Sequence, residues 1–210
     1  MPWYDYVNLS LLSIIWLLIF SSLVIVYKAR KYWIFFLTIY TLTELIGLPL
    51  SLKGISNLWL YNISKPIQFI LLLVYFIKVL RIGRTYSQLL LVLTVLICSF
   101  FVVRMDIREY DSWGDAVYSS FVIILCIVYF YDLITSNDSI NLELSEFWYC
   151  AGLFVFFGTN LCVNSCLNFL LEEHVEIARK LFYILVISSV IFYLLIIYAL
   201  ISEKRKTTTR

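Results

Sequence analysis

Glu44 and Lys65 each interrupt a long apolar run, Glu44 within T43-E-L-I-G-L-P-L50 and Lys65 within N62-I-S-K-P-I-Q68. An ionised side chain held alone at that depth in a bilayer costs at least about 2.5 kcal/mol on insertion scales, so each charge needs a partner or a purpose. The two offer each other the simplest partner, an ion pair pinning neighbouring helices. They also offer a working site, in which a carboxylate and an ammonium accept a ligand or pass a proton or an ion. Polar neighbours at helical spacing favour more than a bare pair. Thr41 and Tyr40 stand three and four residues before Glu44, and Tyr61, Asn62 and Gln68 stand four before, three before and three after Lys65.

A third polar group follows in G158-T-N-L-C-V-N-S-C-L-N-F169, where Asn160, Asn164 and Asn168 recur every four residues with Gly158, Cys162, Ser165 and Cys166 beside them. Asparagine amides turned toward lipid would be unsatisfied, so this stripe is expected to face protein or water. It reads either as a small-residue packing seam with interhelical hydrogen bonds or as the wall of a polar cavity. Counted from the middle of each run, Glu44, Lys65 and Asn160 all fall within about 5 Å of the bilayer centre on one side, which predicts a shared cavity in the outer half.

Other chemistry is sparse. The single histidine, His174 in E172-E-H-V-E176, lacks the convergent ligands of a metal centre, so neither metal nor cofactor is expected. Cys98, Cys126, Cys150, Cys162 and Cys166 lie in or beside apolar runs without a C-x-x-C pair and read as small hydrophobes. No G-x-S-x-G, H-E-x-x-H or pair of deep aspartates marks an intramembrane protease. The final run, L181-F-Y-I-L-V-I-S-S-V-I-F-Y-L-L-I-I-Y-A-L200, carries no lysine that could hold retinal as a Schiff base. An enzyme acting on lipid through Glu44 is the catalytic alternative left standing.

The elements that must position these residues follow from composition. With 62% of its 210 residues hydrophobic and 14% charged, the chain is far outside the soluble range. Apolar runs near 8-27, 33-51, 58-80, 85-103, 115-135, 146-170 and 179-201 each approach the length needed to cross about 30 Å of hydrocarbon. The expected fold is therefore an all-α bundle of seven transmembrane helices forming one domain over 1-210. The run at 58-80, with Lys65 and Pro66 inside it, is the one that could instead turn back.

Orientation follows from basic residues, which cytoplasmic loops retain. Lys28, Arg30, Lys31, Lys78, Arg81, Arg84, Lys204, Arg205, Lys206 and Arg210 fall on one side and Lys53, Arg104, Arg108, Arg179 and Lys180 on the other, ten against five. This predicts the amino end outside and the carboxyl end in the cytoplasm. The amino terminus, MPWYDYVNLS, lacks the basic start of a cleavable signal peptide and is expected to be retained.

At E44-L-I-G47, N57-L-W-L-Y-N62 with Pro66, Y129-F-Y-D-L133 and F147-W-Y-C-A-G-L-F with the later Asn160, the chain resembles small polytopic membrane proteins of Bacteroidota. The resemblance implies a multi-pass protein of the bacterial inner membrane and assigns no activity. Membrane proteins of this size also accompany bacterial antiviral loci. A non-enzymatic sensor or signalling and defence accessory, in which the outward-facing polar cavity binds a ligand or partner and the short cytoplasmic loops couple to another protein, is the leading expectation, with a transporter or oligomeric pore as the alternative. Such an accessory has the bilayer around it, no direct contact with nucleic acid, and a protein partner on the cytoplasmic side or self-association into a homo-oligomer. Its candidate site comprises Glu44, Lys65, Thr41, Tyr61, Asn62, Gln68, Asn160 and Asn164.

Overall fold

A computed structural model describes Ser10, Ser13 and residues 31–80, 83–104, 112–135, 145–173 and 175–208. Six helices make up nearly all of it: α1 (Lys31–Leu52), α2 (Leu58–Val79), α3 (Arg84–Arg104), α4 (Ser112–Thr135), α5 (Ser145–Glu173) and α6 (Val175–Thr208). No strand occurs among the described residues. The chain is all-α, and the six apolar runs expected from residue 33 onward each fall inside one helix or within a residue of its end. The run expected at 8-27 lies outside the described residues except for Ser10 and Ser13, as does His174.

Five stretches are long and apolar enough to cross a membrane: Trp33–Ser51, Leu58–Val79, Trp113–Thr135, Ser145–Cys166 and Tyr183–Ser202. The protein is thus a multi-pass membrane protein. α3 is 21 residues long, but its qualifying apolar stretch, Leu90–Ser99, is short because Arg84, Thr85, Ser87 and Gln88 occupy its first turns. Exposed side chains such as Val92, Leu96, Ile134 and Ile187 cover the surface with hydrocarbon, as lipid requires.

The residues group into two compact units, Lys28–Asp111 on one hand and Met1–Tyr27 with Ser112–Arg210 on the other. In the first unit α1 and α2 form a tight antiparallel hairpin, and α3 packs on α2. Phe36, Leu37, Leu72, Leu73 and Phe76 are sealed inside it. α1 stops at a glycine: Gly54 has φ 71°, Ile55 N donates to Leu50 O at 3.0 Å, and Gly54 N donates to Ser51 O at 2.9 Å. These are the paired bonds of a Schellman cap, which satisfy carbonyls that a helix end otherwise leaves open. α2 runs unbroken through Lys65 and Pro66 over 22 residues, about 33 Å, so it does not turn back.

In the second unit α5 lies between α4 and α6, antiparallel to both. Tyr118 meets Phe157 edge-on at 5.0 Å and Phe130 meets Phe147 at 5.9 Å, which fixes the register of α4 on α5. On the other seam Phe156 stacks on Phe192 at 4.9 Å and Trp148 meets Tyr198 at 4.9 Å. Gly152 lets these helices close up, because a Cβ there would lie 3.3 Å from the Phe192 ring and 3.4 Å from the Leu195 Cβ. A small residue at the closest approach is the usual means of helix packing in lipid.

Candidate functional site: a carboxylate latch between two helices

The hairpin loop brings the second half of α1 beside the first turns of α2, and Glu44 meets its partner there. The Tyr61 hydroxyl donates to the Glu44 carboxylate, Oη to Oε2, at 3.1 Å. Both residues are partly buried. A hydrogen bond to a charged group contributes more than one between neutral groups, about 1.5–3 kcal/mol, and offsets part of the cost of holding the carboxylate in an apolar run. Lys65, the partner suggested by depth, stands one turn further along α2 and is also partly buried.

Glycine makes the contact possible. A Cβ on Gly47 would lie 2.7 Å from Tyr61 Oη and 3.1 Å from its ring, so the phenol rests on bare α1 backbone. Close by, Asn57 Nδ2 donates to the Gly47 carbonyl at 2.9 Å. Asn57 occupies the N-cap of α2, but its side chain makes no capping bond and is turned back toward α1 instead. The two interhelical bonds, from Asn57 and Tyr61, bracket Gly47 from one side.

Polar contacts continue down α2. Ser64 Oγ donates to the Tyr61 carbonyl at 3.1 Å, and Gln68 Nε2 donates to Ser64 Oγ at 3.2 Å. Asn62, Ser64 and Gln68 are all buried. Pro66 lies within this run and has no N–H to give the Asn62 carbonyl, so the helix ladder is interrupted beside Lys65.

Of the sequence candidates, Glu44 and Tyr61 are brought into contact, and Asn62, Lys65 and Gln68 share their hairpin. Thr41 is buried but points its hydroxyl at its own helix, donating to Leu37 O at 2.6 Å. It contributes nothing visible to the carboxylate. Asn160 and Asn164 belong to the second unit. Asn160 Nδ2 donates to the Phe156 carbonyl at 2.9 Å, and Asn164 Nδ2 reaches Asn160 Oδ1 at 3.5 Å. The asparagine stripe thus bonds along its own helix instead of across a seam, while Cys162, Ser165 and Cys166 beside it are exposed. The side chain of Asn168 lies outside the described residues.

Gly47, Asn57 and Ser64 complete the latch and were not among the candidate site residues read from the sequence. Gly47 carried a signal, since it lies three residues after Glu44 and hence on the same face. Asn57 carried none, because an asparagine ahead of a helix reads as a cap. Chemically, one carboxylate held by one phenol across a helix pair can exchange its hydrogen bond for another donor or release a helix. No known protein family, characterised protein or solved structure matches the chain.

Proposed function

We propose that the chain is a non-enzymatic membrane sensor or signalling accessory, and that the Glu44–Tyr61 latch is the element that responds. The observation that carries this reading is the interhelical hydrogen bond at 3.1 Å, seated on Gly47, because a carboxylate held across two helices by one phenol can be claimed by a competing donor, and the hairpin with that bond made and the hairpin with it broken are then the two states a signal can choose between. A ligand or partner that competes for the carboxylate biases one of them. In this reading seven helices cross the inner membrane of a bacterium, with the amino end outside, and Lys65 is the second charge of the same site. The response passes to a protein bound at the cytoplasmic face, or between copies of a homo-oligomer.

The test is recovery of partners from native membranes in mild detergent with wild-type, Tyr61→Phe and Glu44→Gln chains. A specific partner, or a second copy of the chain, whose recovery changes in both variants supports the reading, and recovery of neither removes it. The position of Glu44 inside an apolar span also suits a transporter in which the carboxylate titrates against Lys65. Flux into proteoliposomes that is equal for wild-type, Glu44→Gln and Lys65→Met chains would sink that alternative.

A further inference from the structure

The carboxylate of the latch is held by very little. Among the described residues the Tyr61 phenol is the one partner of Glu44, and it is neutral. An ionised carboxylate is an acceptor only, with lone pairs for about four hydrogen bonds, so a single bond within an apolar span leaves most of them unmet. α2 is the helix that packs closely on α1. Beside Tyr61 it brings one charged group to this end, Lys65, a turn further on. α1 itself brings Tyr40, a turn before Glu44 and stacked on Phe36 at 5.9 Å, and the turn after it brings Lys53, which is exposed.

The surroundings select what can claim that carboxylate. A methyl group on Gly47 would lie 2.7 Å from the phenol oxygen, so nothing of that size fits between Tyr61 and α1. A metal cation needs several converging ligands, and no group of three or more histidine, cysteine, aspartate or glutamate side chains gathers among the described residues. A proton needs neither room nor a ligand set. Water is near, because Tyr61 is the fourth residue of α2, about 5 Å from its start, and residues 53–56 of the turn before it are exposed. α1 also shows where a proton on Glu44 would point. The hydroxyls of Thr38, Thr41 and Thr43 donate to carbonyls of their own helix, Ile34 O, Leu37 O and Ile39 O, at 2.8, 2.6 and 2.8 Å. A protonated Glu44 has the Tyr40 carbonyl in the same relation, one turn back. A carboxylate cannot use it, since carbonyl and carboxylate are both acceptors.

We propose that the ligand of the latch is a proton: ionised Glu44 stays on Tyr61, and protonated Glu44 leaves it for its own helix. The proposal rests on the reading of the latch as the element that responds, and it names what the latch responds to. The proton comes from water on the side of the α1–α2 turn and bonds to a carboxylate oxygen, while Tyr61 keeps its own. Charge sets the direction. The ionised group cannot give up its one interhelical donor without standing uncompensated in the span. The neutral acid carries a donor of its own, so the bond to Tyr61 drops from a charge-assisted one to an ordinary one that the Tyr40 carbonyl can match. Alkaline conditions therefore close the latch, and acid opens it.

The test measures the helix pair in the full chain, in lipid nanodiscs, with the native cysteines replaced and spin labels at Ile46 on α1 and Ile63 on α2, both exposed. Between about pH 8 and about pH 5 the distance distribution is expected to shift reversibly. Glu44→Gln, a neutral match for the protonated acid, is expected to give the acid distribution at both pH values. The infrared carbonyl band of a protonated carboxylic acid reports the proton itself. It should contain a component that Glu44→Gln lacks and that in Tyr61→Phe appears about one pH unit higher, about tenfold in proton affinity, because the donor that favours the ionised form is gone. Distances in the otherwise wild-type chain that are equal at the two pH values, or a pH-dependent shift that persists in Glu44→Gln, would overturn the proposal, as would a Glu44 band indifferent to Tyr61→Phe. No partner protein enters these measurements, so a latch deaf to pH and a chain without a partner are separate outcomes.

Discussion

Tyr61 is the residue on which the hairpin's polar chemistry turns, because it donates to the Glu44 carboxylate through its hydroxyl and accepts from Ser64 through its carbonyl. Tyr61→Phe removes the donor and leaves the carboxylate in place, which should destabilise the protein by about 1–3 kcal/mol. In a Glu44→Leu background the same change should cost much less, since no charge remains to be satisfied, and thermal unfolding of the four chains measures the coupling. Equal costs in the two backgrounds would show that the bond carries no energy. Gly47→Ala places a methyl group 2.7 Å from the phenol oxygen and should break the same bond by displacement. Ser188→Ala is a contrasting case. Loss of a buried hydroxyl that has no hydrogen-bond partner among the described residues should be neutral or stabilising.

At the scale of elements, the helices were legible because hydrophobic length is a strong signal in lipid, and apolar runs of spanning length have few alternatives to a helix. The ends were less so. α6 continues as helix through Glu203, Lys204, Arg205 and Lys206, where hydropathy gives out but helix propensity does not. Partner choice inside the site was not legible either. Helical spacing tells which residues share a face, and it put Tyr61 and Lys65 on one, but it cannot tell which of two side chains a turn apart reaches across to Glu44. That was decided by the hairpin register, which the cap at Gly54 and the bond from Asn57 help to set. Gly54→Ala forces an ordinary side chain to φ 71° and should cost about 1–2 kcal/mol. Chemical denaturation is the check, and a cost near zero would mean that the turn does not constrain the hairpin.

For the whole molecule, the expected orientation gives a direct measurement. In a chain from which the native cysteines have been removed, a cysteine at Lys53, in the α1–α2 turn, should react with a membrane-impermeant maleimide added to intact spheroplasts. One at Arg205, near the end of α6, should react only after permeabilisation. The reverse pattern would invert the topology. The grouping of the chain into two compact units was not readable from hydropathy, because lipid-facing and partner-facing positions are equally apolar and only the contacts separate them. The burial of Asp115 was not legible for a related reason. Asp115 falls at the boundary of its apolar run, where a charge looks like an ordinary helix start until its burial is known.

The short α1–α2 turn also bears on how the protein enters its membrane. Its two interhelical bonds are local in sequence, with Asn57 ten and Tyr61 seventeen residues from their acceptors, so they can form as soon as both helices have emerged. A hairpin already closed in this way carries its carboxylate into the bilayer with a hydrogen-bond donor attached. Glu44 then need not make the crossing alone, because α1 and α2 can enter the bilayer as one closed hairpin.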